Sequence, residues 1–393
     1  MKTKLTKLIQ ICFVAVAALI MIGGLCRAVL HPKDINGLEN RKANQLPELG
    51  SSVLADFASS AFQDSVEKAL SDQVLLSEYL TNQYNSMESY VIFHTMNRLV
   101  DGEDALSYSF NGLQIRGGDR IVHWPRGLKD SLKALMEARA ENINSAMASV
   151  TGPEYYVYYI EKDTDMEFGS GKKMGQYAYL EGLMDKSLCK VGAYEVNSYE
   201  EFCRWFYKTD SHWNHVGSYR GYTELLGFLE AEGEAIVPGG EFMAGERFSG
   251  SKAITTRSRY IITEDMPAYR FDFPDMLITV NGETEADYGQ QNEPLSGRPG
   301  YGVYYGGDAG EVVFDMSAPE RENLLIIGES FDNAILKLLA THFDKTFGVD
   351  LRYYSHYMGE EFSLGDYVEK NEIDKVLFFG NMDFFTSEEF MVR

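Results

Sequence analysis

The sequence of 393 residues has ordinary glycine, proline and apolar fractions, which predicts a globular α/β or α+β protein with one large domain plus an accessory segment. Acidic side chains outnumber basic ones by 59 to 36, so the formal net charge is −23. A field of this sign repels nucleic-acid phosphates, and no stripe of lysine and arginine overrides it, which argues against a role on DNA or RNA.

The N-terminal segment 1–30 predicts a cytoplasmic tail and membrane anchor. Residues 8–26 are apolar apart from Gln10, and three lysines precede them. Such a length is at the edge of what spans a bilayer core of about 30 Å, and the basic flank is expected to stay inside. A cleaved signal peptide is the alternative, since Gly23 and Gly24 are small residues near a possible cleavage site. Either way we expect the rest of the chain to be exported, as a single-pass membrane protein or as a secreted one.

Residues 31–100 are predicted to form a helical connector. Few glycines or prolines interrupt the stretch from 54 to 99. Its apolar residues recur at helical spacing, namely Phe57, Phe62, Val66, Leu70, Val74, Leu75 and Leu80. The main α/β domain is then expected to occupy residues 101–393.

The main domain opens with an amphipathic helix and a buried strand. Residues 128–150 place apolar side chains on one helical face, and residues 155–160 are aromatic and β-branched. A buried strand after a helix predicts the first layer of a parallel sheet. Because ligands bind beyond the carboxyl ends of such strands, the polar stretch 161–165 is a candidate border of a site, with a solvated loop as the alternative.

A second helix is predicted over residues 216–230, with Asn214 as its N-terminal cap. Asp210 and His212 therefore fall in the turn before the helix, where their side chains are free to face a pocket. Further along, residues 236–315 consist of short β-like runs separated by glycines and prolines, which predicts a β-rich insertion.

After the insertion the alternation of strands and helices returns. Strands are predicted at 324–327, 346–351 and 376–379, and a helix at 331–343. Short strands alternating with a helix favour a parallel, doubly wound sheet.

Ser330 is the candidate nucleophile. It follows Gly328 where the buried strand breaks into the predicted helix, so its hydroxyl is expected at the carboxyl edge of the sheet. A helix N-terminus there would favour negative charge developing nearby. The alternative is that Ser330 acts only as a helix cap.

His212 is the candidate general base, with Asp210 as the group that orients its ring. Because Asp210 and His212 are two residues apart in an extended turn, their side chains can point the same way. Ser330, His212 and Asp210 together supply the nucleophile, base and carboxylate that acyl transfer needs. The hypothesis depends on their convergence in space, and a capped turn with a surface histidine is the alternative.

A metal site is the competing interpretation of the same turn. Asp210, His212 and His215 form an acceptable ligand set with an open position. The rest of the sequence supplies no matching second cluster of histidine or cysteine, so we predict no metal and no other cofactor.

Three further residues are candidates for contacts with the reacting group or the substrate. Asn381 follows the last predicted strand, where its amide could donate to an oxyanion. Tyr305 and Arg257 are candidates for contact with a polar substrate, because aromatic rings stack on sugars. Ordinary turns and solvated charges are the alternatives for all three.

Three blocks of sequence carry a family resemblance: YKTDSHW at 207–213 with Gly217 and Tyr219, LLIIGESFDNA at 324–334, and ENR at 39–41. Together they resemble the DHHW proteins of bacterial envelopes over nearly the whole chain. That family is similar to the SGNH hydrolase-like O-acetyltransferases that modify exported polysaccharides such as alginate. Serine replaces the first histidine of the DHHW pattern at position 211, and glutamate replaces the usual aspartate at position 329.

The resemblance implies a flavodoxin-like three-layer core and serine-dependent acyl chemistry on cell-envelope glycans. It assigns the catalytic roles to Asp210, His212 and Ser330, and the oxyanion contacts to the Ser330 backbone N–H and Asn381. A carbohydrate polymer is the expected substrate, and a membrane protein that hands acetyl groups across is a possible partner. A catalytically silent relative that binds glycan or scaffolds an envelope assembly is the alternative.

Overall fold

The computed structural model describes residues 120–392 apart from 257, 260, 261, 286, 287 and 298. Before residue 120 it describes 11–16, 18–19, 22–23, 26, 29–33, 35–36, 41–46, 60–73, 79–81, 83–84, 87, 90–91, 109–110 and 112–116. The anchor predicted at 1–30 and the connector predicted at 31–100 therefore lie partly outside the described residues. Within the described ranges, no helix combines the length and apolar character that crossing a bilayer requires.

The described chain alternates short strands with helices. Its strands are β1 (Ile35–Asn36), β2 (Arg41–Lys42), β3 (Ser109–Phe110), β4 (Leu113–Arg116), β5 (Arg120–His123), β6 (Glu154–Ile160), β7 (Met166–Glu167), β8 (Lys172–Lys173), β9 (Cys189–Tyr194), β10 (Glu241–Phe248), β11 (Glu264–Tyr269), β12 (Leu277–Val280), β13 (Glu283–Thr284), β14 (Glu311–Asp315), β15 (Leu324–Ile327), β16 (Lys345–Val349) and β17 (Lys375–Gly380). Its α-helices are α1 (Ser60–Gln73), α2 (Asp130–Ser149), α3 (Gln176–Leu183), α4 (Tyr199–Trp205), α5 (His215–Phe228), α6 (Ser251–Thr255), α7 (Tyr301–Tyr305), α8 (Leu336–Ala340), α9 (Leu351–Met358) and α10 (Leu364–Asn371). Single 3-10 turns lie at Asp163–Asp165, Asp332–Ala334 and Glu388–Phe390.

The chain divides into two compact units. One comprises Met1–Asp101 with Ile254–Ile261, and the other comprises Gly102–Ala253 with Ile262–Arg393. The second unit holds the central sheet and all the residues of the candidate site that the structure describes.

An eight-stranded sheet forms the centre of the second unit, in the order β13-β12-β14-β16-β15-β17-β6-β9. The last five strands of this order are parallel to one another. Counted from β15, they follow the order 2-1-3-4-5, which is the flavodoxin-like order. In the chain, however, β6 and β9 come before β15, so the connectivity is a circular permutation of that order.

The prediction of a parallel sheet is correct for these five strands and wrong at one edge. Strands β12, β13 and β14 extend the sheet beyond β16, and they pair antiparallel. All three come from the segment 236–315 that was predicted as a β-rich insertion, which also forms the antiparallel pair β10/β11. Alternating short β-runs do not reveal which sheet they join, because pairing partners are set by tertiary packing.

The central sheet is buried on both faces. In β15, Leu324 and Ile326 pack into one apolar cluster with helices α5 and α8, while Leu325 and Ile327 pack into another with helices α2 and α10. Burial of each such side chain contributes about 1.5–3 kcal/mol. The apolar run of β15 ends at Gly328, so Ser330 lies just beyond the carboxyl end of this strand.

Two predicted helices agree with the structure and one does not. Helix α2 matches the prediction for 128–150 within two residues, and helix α5 begins after Asn214, whose Oδ1 accepts from the N–H groups of Val216 and Gly217. The helix predicted at 331–343 is wrong, because the chain forms a 3-10 turn and then the short α8, with a break at Ile335. The apolar residues from 331 to 339 are all buried whichever helical face they would occupy, so packing overrides the helical period here.

Candidate active site

The turn that carries Asp210 and His212 is closed at its base by two aromatic residues. Phe206 and Trp213 form an antiparallel β-bridge, and the N–H of Tyr207 donates to the carbonyl of His212. Trp213 is fully buried and anchors the turn in the core. Gly217 is required beside it, since a Cβ there would lie 2.1 Å from the carbonyl oxygen of Trp205.

The structure brings the three predicted catalytic residues together, although Ser330 lies 118 positions after His212 in the sequence. His212 Nε2 lies 2.8 Å from the Ser330 hydroxyl oxygen, and His212 Nδ1 lies 2.5 Å from Asp210 Oδ1. With Nδ1 protonated and donating to Asp210, Nε2 is left as an acceptor for the Ser330 proton. This arrangement permits general-base activation of the serine, and the catalytic role of the three residues stays a prediction.

Asp210 is buried and ionised. Burial alone raises the pKa of its carboxyl, but the charge of a His212 imidazolium and the hydrogen bonds from His212 and Ser251 outweigh burial, so the pKa falls well below the usual range. Oδ2 accepts from the Ser251 N–H at 2.7 Å, and Oδ1 also accepts from the His212 N–H at 3.0 Å. Gly250 packs directly on this carboxylate, because a Cβ there would lie 2.3 Å from Asp210 Oδ2.

The His212 ring is held between two other rings. Its plane is 8° from that of Tyr301, with ring centroids 3.8 Å apart, and the Phe331 centroid lies 4.8 Å away. Tyr301 belongs to α7, and Phe331 directly follows the candidate nucleophile. The two contacts restrict rotation of the imidazole, so Nε2 keeps its direction toward Ser330.

A distant glutamate fixes the backbone before Asp210. Glu264 accepts from the N–H groups of Lys208 and Thr209 and from the Thr209 hydroxyl, at 2.9, 2.7 and 2.7 Å. Burial raises the pKa of the Glu264 carboxyl, and these hydrogen bonds oppose the rise. Sequence reasoning missed Glu264, Ser251 and Tyr301, because nothing in their local sequence links them to a turn about 40 to 90 positions away.

Ser330 lies in the crevice between β15 and β17, which is the point where the strand order reverses. Open α/β sheets bind their ligands at such a switch point. The backbone N–H of Ser330 has no acceptor within the part of the chain that the structure describes. It is therefore available to an oxyanion that develops beside the hydroxyl.

Asn381 directly follows β17, and its amide contacts Glu329, the residue before Ser330. Its Nδ2 donates in a close contact to Glu329 Oε1, and its backbone N–H donates to the same oxygen at 3.1 Å. Burial raises the pKa of the Glu329 carboxyl, whereas the charges of Lys162 and Arg352 lower it. One N–H of the amide is thus engaged, and the oxyanion role of Asn381 stays a prediction that depends on the other.

The stretch 161–165 is not a solvated loop. All five of its residues are buried in and around the 3-10 turn at Asp163–Asp165. Lys162 Nζ lies 6.0 Å from the centroid of the ring of Phe331, the residue that follows Ser330, and the border of a site at 161–165 stays a prediction.

Two of the other candidates take different positions. Tyr305 is buried behind Tyr301, with ring centroids 4.8 Å apart, and it lines a small cavity with His215 and Gln290. It supports the ring that contacts His212, and its predicted contact with substrate stays a prediction. Arg257 lies outside the described residues.

The metal interpretation is not supported by the geometry. His215 Nε2 points to Glu241 Oε1 at 3.4 Å, and burial lowers the pKa of its imidazole. His215 therefore does not join Asp210 and His212 as a ligand. Among the described residues, no group of three or more His, Cys, Asp or Glu side chains is arranged to hold a metal ion. The thiols of Cys189 and Cys203 are not bonded to each other.

Comparison with solved structures identifies the class of fold. The chain has the fold of a DHHW family protein from Eubacterium siraeum, with a TM-score of 0.56 and 16% identity over 72% of this chain and 95% of the other. The resemblance to the DHHW family that the sequence indicated is therefore confirmed at the level of the fold.

The particular proteins that share this fold include PatB1 of Bacillus cereus. Its structure matches with a TM-score of 0.54 and 18% identity over 73% of this chain and 99% of PatB1. A second PatB1 structure, with a sulfonyl adduct, matches with a TM-score of 0.55 and 17% identity over 72% of this chain and 97% of PatB1. No protein-family model and no curated protein matches the sequence.

Proposed function

We propose that the protein is an SGNH hydrolase-like O-acetyltransferase or acetylesterase that acts on cell-envelope or exported polysaccharide. The observation that carries the proposal is the continuous hydrogen-bonded series from Asp210 through His212 to the Ser330 hydroxyl. The permuted flavodoxin-like strand order supports it, because Ser330 lies at the switch point of the sheet. The sequence resemblance to polysaccharide O-acetyltransferases supplies the acyl group and the substrate class.

In the first half of the reaction the Ser330 oxygen attacks the carbonyl carbon of an acetyl ester. The serine proton moves to His212 Nε2, and the carbonyl π electrons move onto the oxygen, which gives a tetrahedral oxyanion. The oxyanion collapses, the bond to the donor's oxygen breaks, and that oxygen takes the proton from Nε2. The products are acetyl-Ser330 and the free donor alcohol.

The second half reverses these steps with a new alcohol. A sugar hydroxyl or a water molecule gives its proton to His212 Nε2 and attacks the acetyl carbon. The Ser330 oxygen then leaves and recovers the proton, which releases an acetylated sugar or acetate. Transferase and esterase share the same residues, and exclusion of water from the acyl-enzyme decides between them.

Asp210 and the oxyanion donors supply the electrostatic part of the proposal. Asp210 holds the Nδ1–H tautomer of His212 and stabilises the imidazolium that forms in each half-reaction. The Ser330 backbone N–H, which has no acceptor among the described residues, would donate to the oxyanion. The Asn381 amide is the second proposed donor, and each such donor contributes about 3–4 kcal/mol to the transition state.

We propose that the reaction takes place outside the cytoplasm. The basic and apolar segment 1–30 would anchor the chain, residues 31–100 would connect it, and residues 101–393 would form the catalytic domain. The substrate would be a carbohydrate polymer, and a membrane protein that delivers acetyl groups would be the partner. Detection of the domain on the outer side of intact cells by added protease tests this location.

Hydrolysis of 4-nitrophenyl acetate by the full-length protein tests the chemistry. We expect Ser330→Ala to reduce the enzyme-dependent rate at least about a thousandfold, because the residues of a triad act as a unit. Ser170→Ala is the matched control, since the Ser170 hydroxyl is exposed and donates to Glu167. Equal, near-zero rates in the wild type and in Ser330→Ala would favour the alternative, a glycan-binding or scaffolding protein without catalysis.

Covalent labelling tests the reactivity of the Ser330 hydroxyl independently of ester hydrolysis. PatB1 has been solved with a sulfonyl adduct, and sulfonyl fluorides modify activated serines in general. We expect phenylmethylsulfonyl fluoride to add one sulfonyl group to Ser330, located by peptide mass spectrometry. His212→Ala should abolish the addition, because the serine proton then has no acceptor.

A further inference from the structure

A single segment of chain crosses the edge of the candidate active site, and we name residues 120–126 the rim segment. At one end, the Ile121 N–H donates to the Lys208 carbonyl beside the Asp210 turn, at 2.9 Å. At the other end, the Arg126 N–H donates to the Thr164 carbonyl beyond the end of β6, also at 2.9 Å. The rim segment is therefore tied to the carboxyl edge of the sheet on which Ser330 lies.

The first half of the rim segment is linked to Asp210 through a cluster of charged side chains around the buried Asp163 carboxylate. The His123 N–H and Nδ1 contact the Asp163 carboxylate at 2.8 and 3.1 Å, and Lys252 Nζ lies 2.6 Å from the same carboxylate. Lys252 directly follows Ser251, whose N–H donates to Asp210 Oδ2. His123, the residue before Trp124, is therefore linked to Asp210 through Asp163, Lys252 and Ser251.

The second half of the rim segment is joined to the nucleophile in the same way. Arg126 Nη1 donates to Asp383 Oδ1 at 3.0 Å, and Lys162 Nζ donates to Asp383 Oδ2 at 3.2 Å. Lys162 Nζ lies 6.0 Å from the ring of Phe331, the residue after Ser330. The charges of Lys162 and Arg126 lower the pKa of the Asp383 carboxyl to about 2, so this carboxylate is ionised at neutral pH.

Three side chains of this edge present a large fraction of their surface to solvent. The exposed fraction is 48% for Trp124, 49% for the Arg126 side chain and 51% for the Asp383 side chain. Trp205 and Trp213, the other tryptophans, are less exposed. Trp124 lies two positions before Arg126 in the rim segment, so an apolar indole and a fixed Arg–Asp pair belong to the same short stretch of chain.

We propose that Trp124, Arg126 and Asp383 form a sugar-binding subsite that holds the acceptor polysaccharide beside Ser330. The subsite rests on the proposed function and names the part of the site that receives the polymer. An indole face packs on the C–H face of a pyranose ring, the guanidinium donates to sugar oxygens, and the carboxylate accepts from sugar hydroxyls. The ion pair orients both groups before the sugar arrives, which lowers the entropic cost of binding.

The charges select among glycans. Arg126 and Lys162 both pair with the Asp383 carboxylate, and Lys252 pairs with that of Asp163, so three positive charges face two negative ones. The edge therefore presents a nearly balanced charge in a chain whose net charge is −23. A neutral hexose polymer fits this edge, whereas a strongly anionic polymer would be repelled by the surrounding field.

Acetyl transfer to defined oligosaccharides tests the subsite. The full-length protein is given 4-nitrophenyl acetate as donor and cellopentaose, mannopentaose or N-acetylchitopentaose as acceptor, and acetylated product is measured by mass spectrometry. We expect Trp124→Ala to raise the half-saturating acceptor concentration about tenfold, with a smaller change in kcat. Trp124→Phe keeps an aromatic plane and should recover most of the loss. Leu135→Ala is the control, because Leu135 is 45% exposed on α2 and takes no part in the site.

Calorimetric binding of the same pentasaccharides separates the two proposals, because binding needs no chemistry. The subsite proposal is wrong if no pentasaccharide binds or is acetylated saturably. It is also wrong if Trp124→Ala matches the wild type in both binding and acetyl transfer. Either result contradicts the subsite even when ester hydrolysis depends on Ser330. If hydrolysis does not depend on Ser330 while binding is still weakened about tenfold by Trp124→Ala, the subsite stands as a glycan site and the proposed catalysis is wrong.

Discussion

The imidazole of His212 lies flat against the ring of Tyr301, with ring centroids 3.8 Å apart and planes 8° apart. Tyr301 belongs to α7, within the β-rich segment, so an element far from the Asp210–His212 turn in sequence restricts the orientation of the candidate base. The contact leaves Nε2 pointing at Ser330 and Nδ1 at Asp210.

Removal of the Tyr301 ring should therefore affect turnover more than substrate binding. We expect Tyr301→Ala to lower kcat about tenfold or more, because a freed imidazole spends less time in the reactive geometry. The same change removes a buried ring and should cost about 3–5 kcal/mol of unfolding free energy. Tyr301→Phe keeps the stacked plane and separates the two effects. Steady-state kinetics and urea unfolding of both variants provide the measurement, and a Tyr301→Phe protein as slow as Tyr301→Ala would contradict a role based on stacking.

Much of the site could be predicted from sequence because its signals are local. The strand Leu324–Ile327 was predicted with the bounds that the structure shows, since four buried residues before a glycine indicate it strongly. The cap by Asn214 was predicted from residue type, and it leaves Asp210 and His212 in the turn. The carboxyl ends of parallel strands lie at one edge of the sheet, where ligands bind. Prediction of Ser330 at a strand end therefore also predicted its position at that edge.

The remaining features depend on contacts that sequence periodicity does not encode. The chain after Ser330 is broken at Ile335 into a 3-10 turn and the short α8, and the antiparallel strands β12 to β14 join the sheet through tertiary pairing. Tyr301 and Glu264 act on the Asp210–His212 turn from positions about 55 to 90 residues away. Without spatial information, a buried tyrosine or glutamate at such a distance looks like any other.

Replacement of Asp210 by asparagine should nearly abolish activity and change the pH dependence of stability. Asparagine cannot hold the Nδ1–H tautomer as a carboxylate does, so we expect kcat to fall by roughly a thousandfold or more. The folded-state pKa of Asp210 is depressed below the usual value of about 4 for an unfolded chain, so its stabilising contribution is complete above about pH 4 and is lost as the pH falls further. The difference in unfolding free energy between wild type and Asp210→Asn should therefore shrink between pH 5 and pH 2. Chemical denaturation at several pH values measures it, and a difference that grows on acidification would contradict the assignment.

The two histidines of the turn should differ sharply in their importance. His212 contacts both Ser330 and Asp210, whereas His215 Nε2 faces Glu241. We expect His212→Gln to reduce ester hydrolysis by about a thousandfold or more and His215→Gln by less than about tenfold. A metal site built on both histidines would instead make the two losses similar, and a chelator would then abolish activity in the wild type. Parallel assays of the two variants with and without chelator distinguish these outcomes.

Gly250 provides a test of how closely the backbone packs on the Asp210 carboxylate. A Cβ at this position would lie 2.3 Å from both Cβ and Oδ2 of Asp210, which no side-chain rotation of alanine can relieve. We expect Gly250→Ala to cost about 1–3 kcal/mol of unfolding free energy and to lower kcat, because the carboxylate must move away from the Ser251 N–H. Gly227→Ala is the matched control, since Gly227 lies within α5 and a Cβ there would meet no atom within 4 Å beyond its own helix backbone and chain neighbours. Alanine in a helix interior is favoured over glycine by about 1 kcal/mol, so this variant should be as stable as the wild type or more so. Thermal unfolding and ester hydrolysis of the two proteins, measured side by side, should show a loss of stability and of turnover for Gly250→Ala and neither loss for Gly227→Ala.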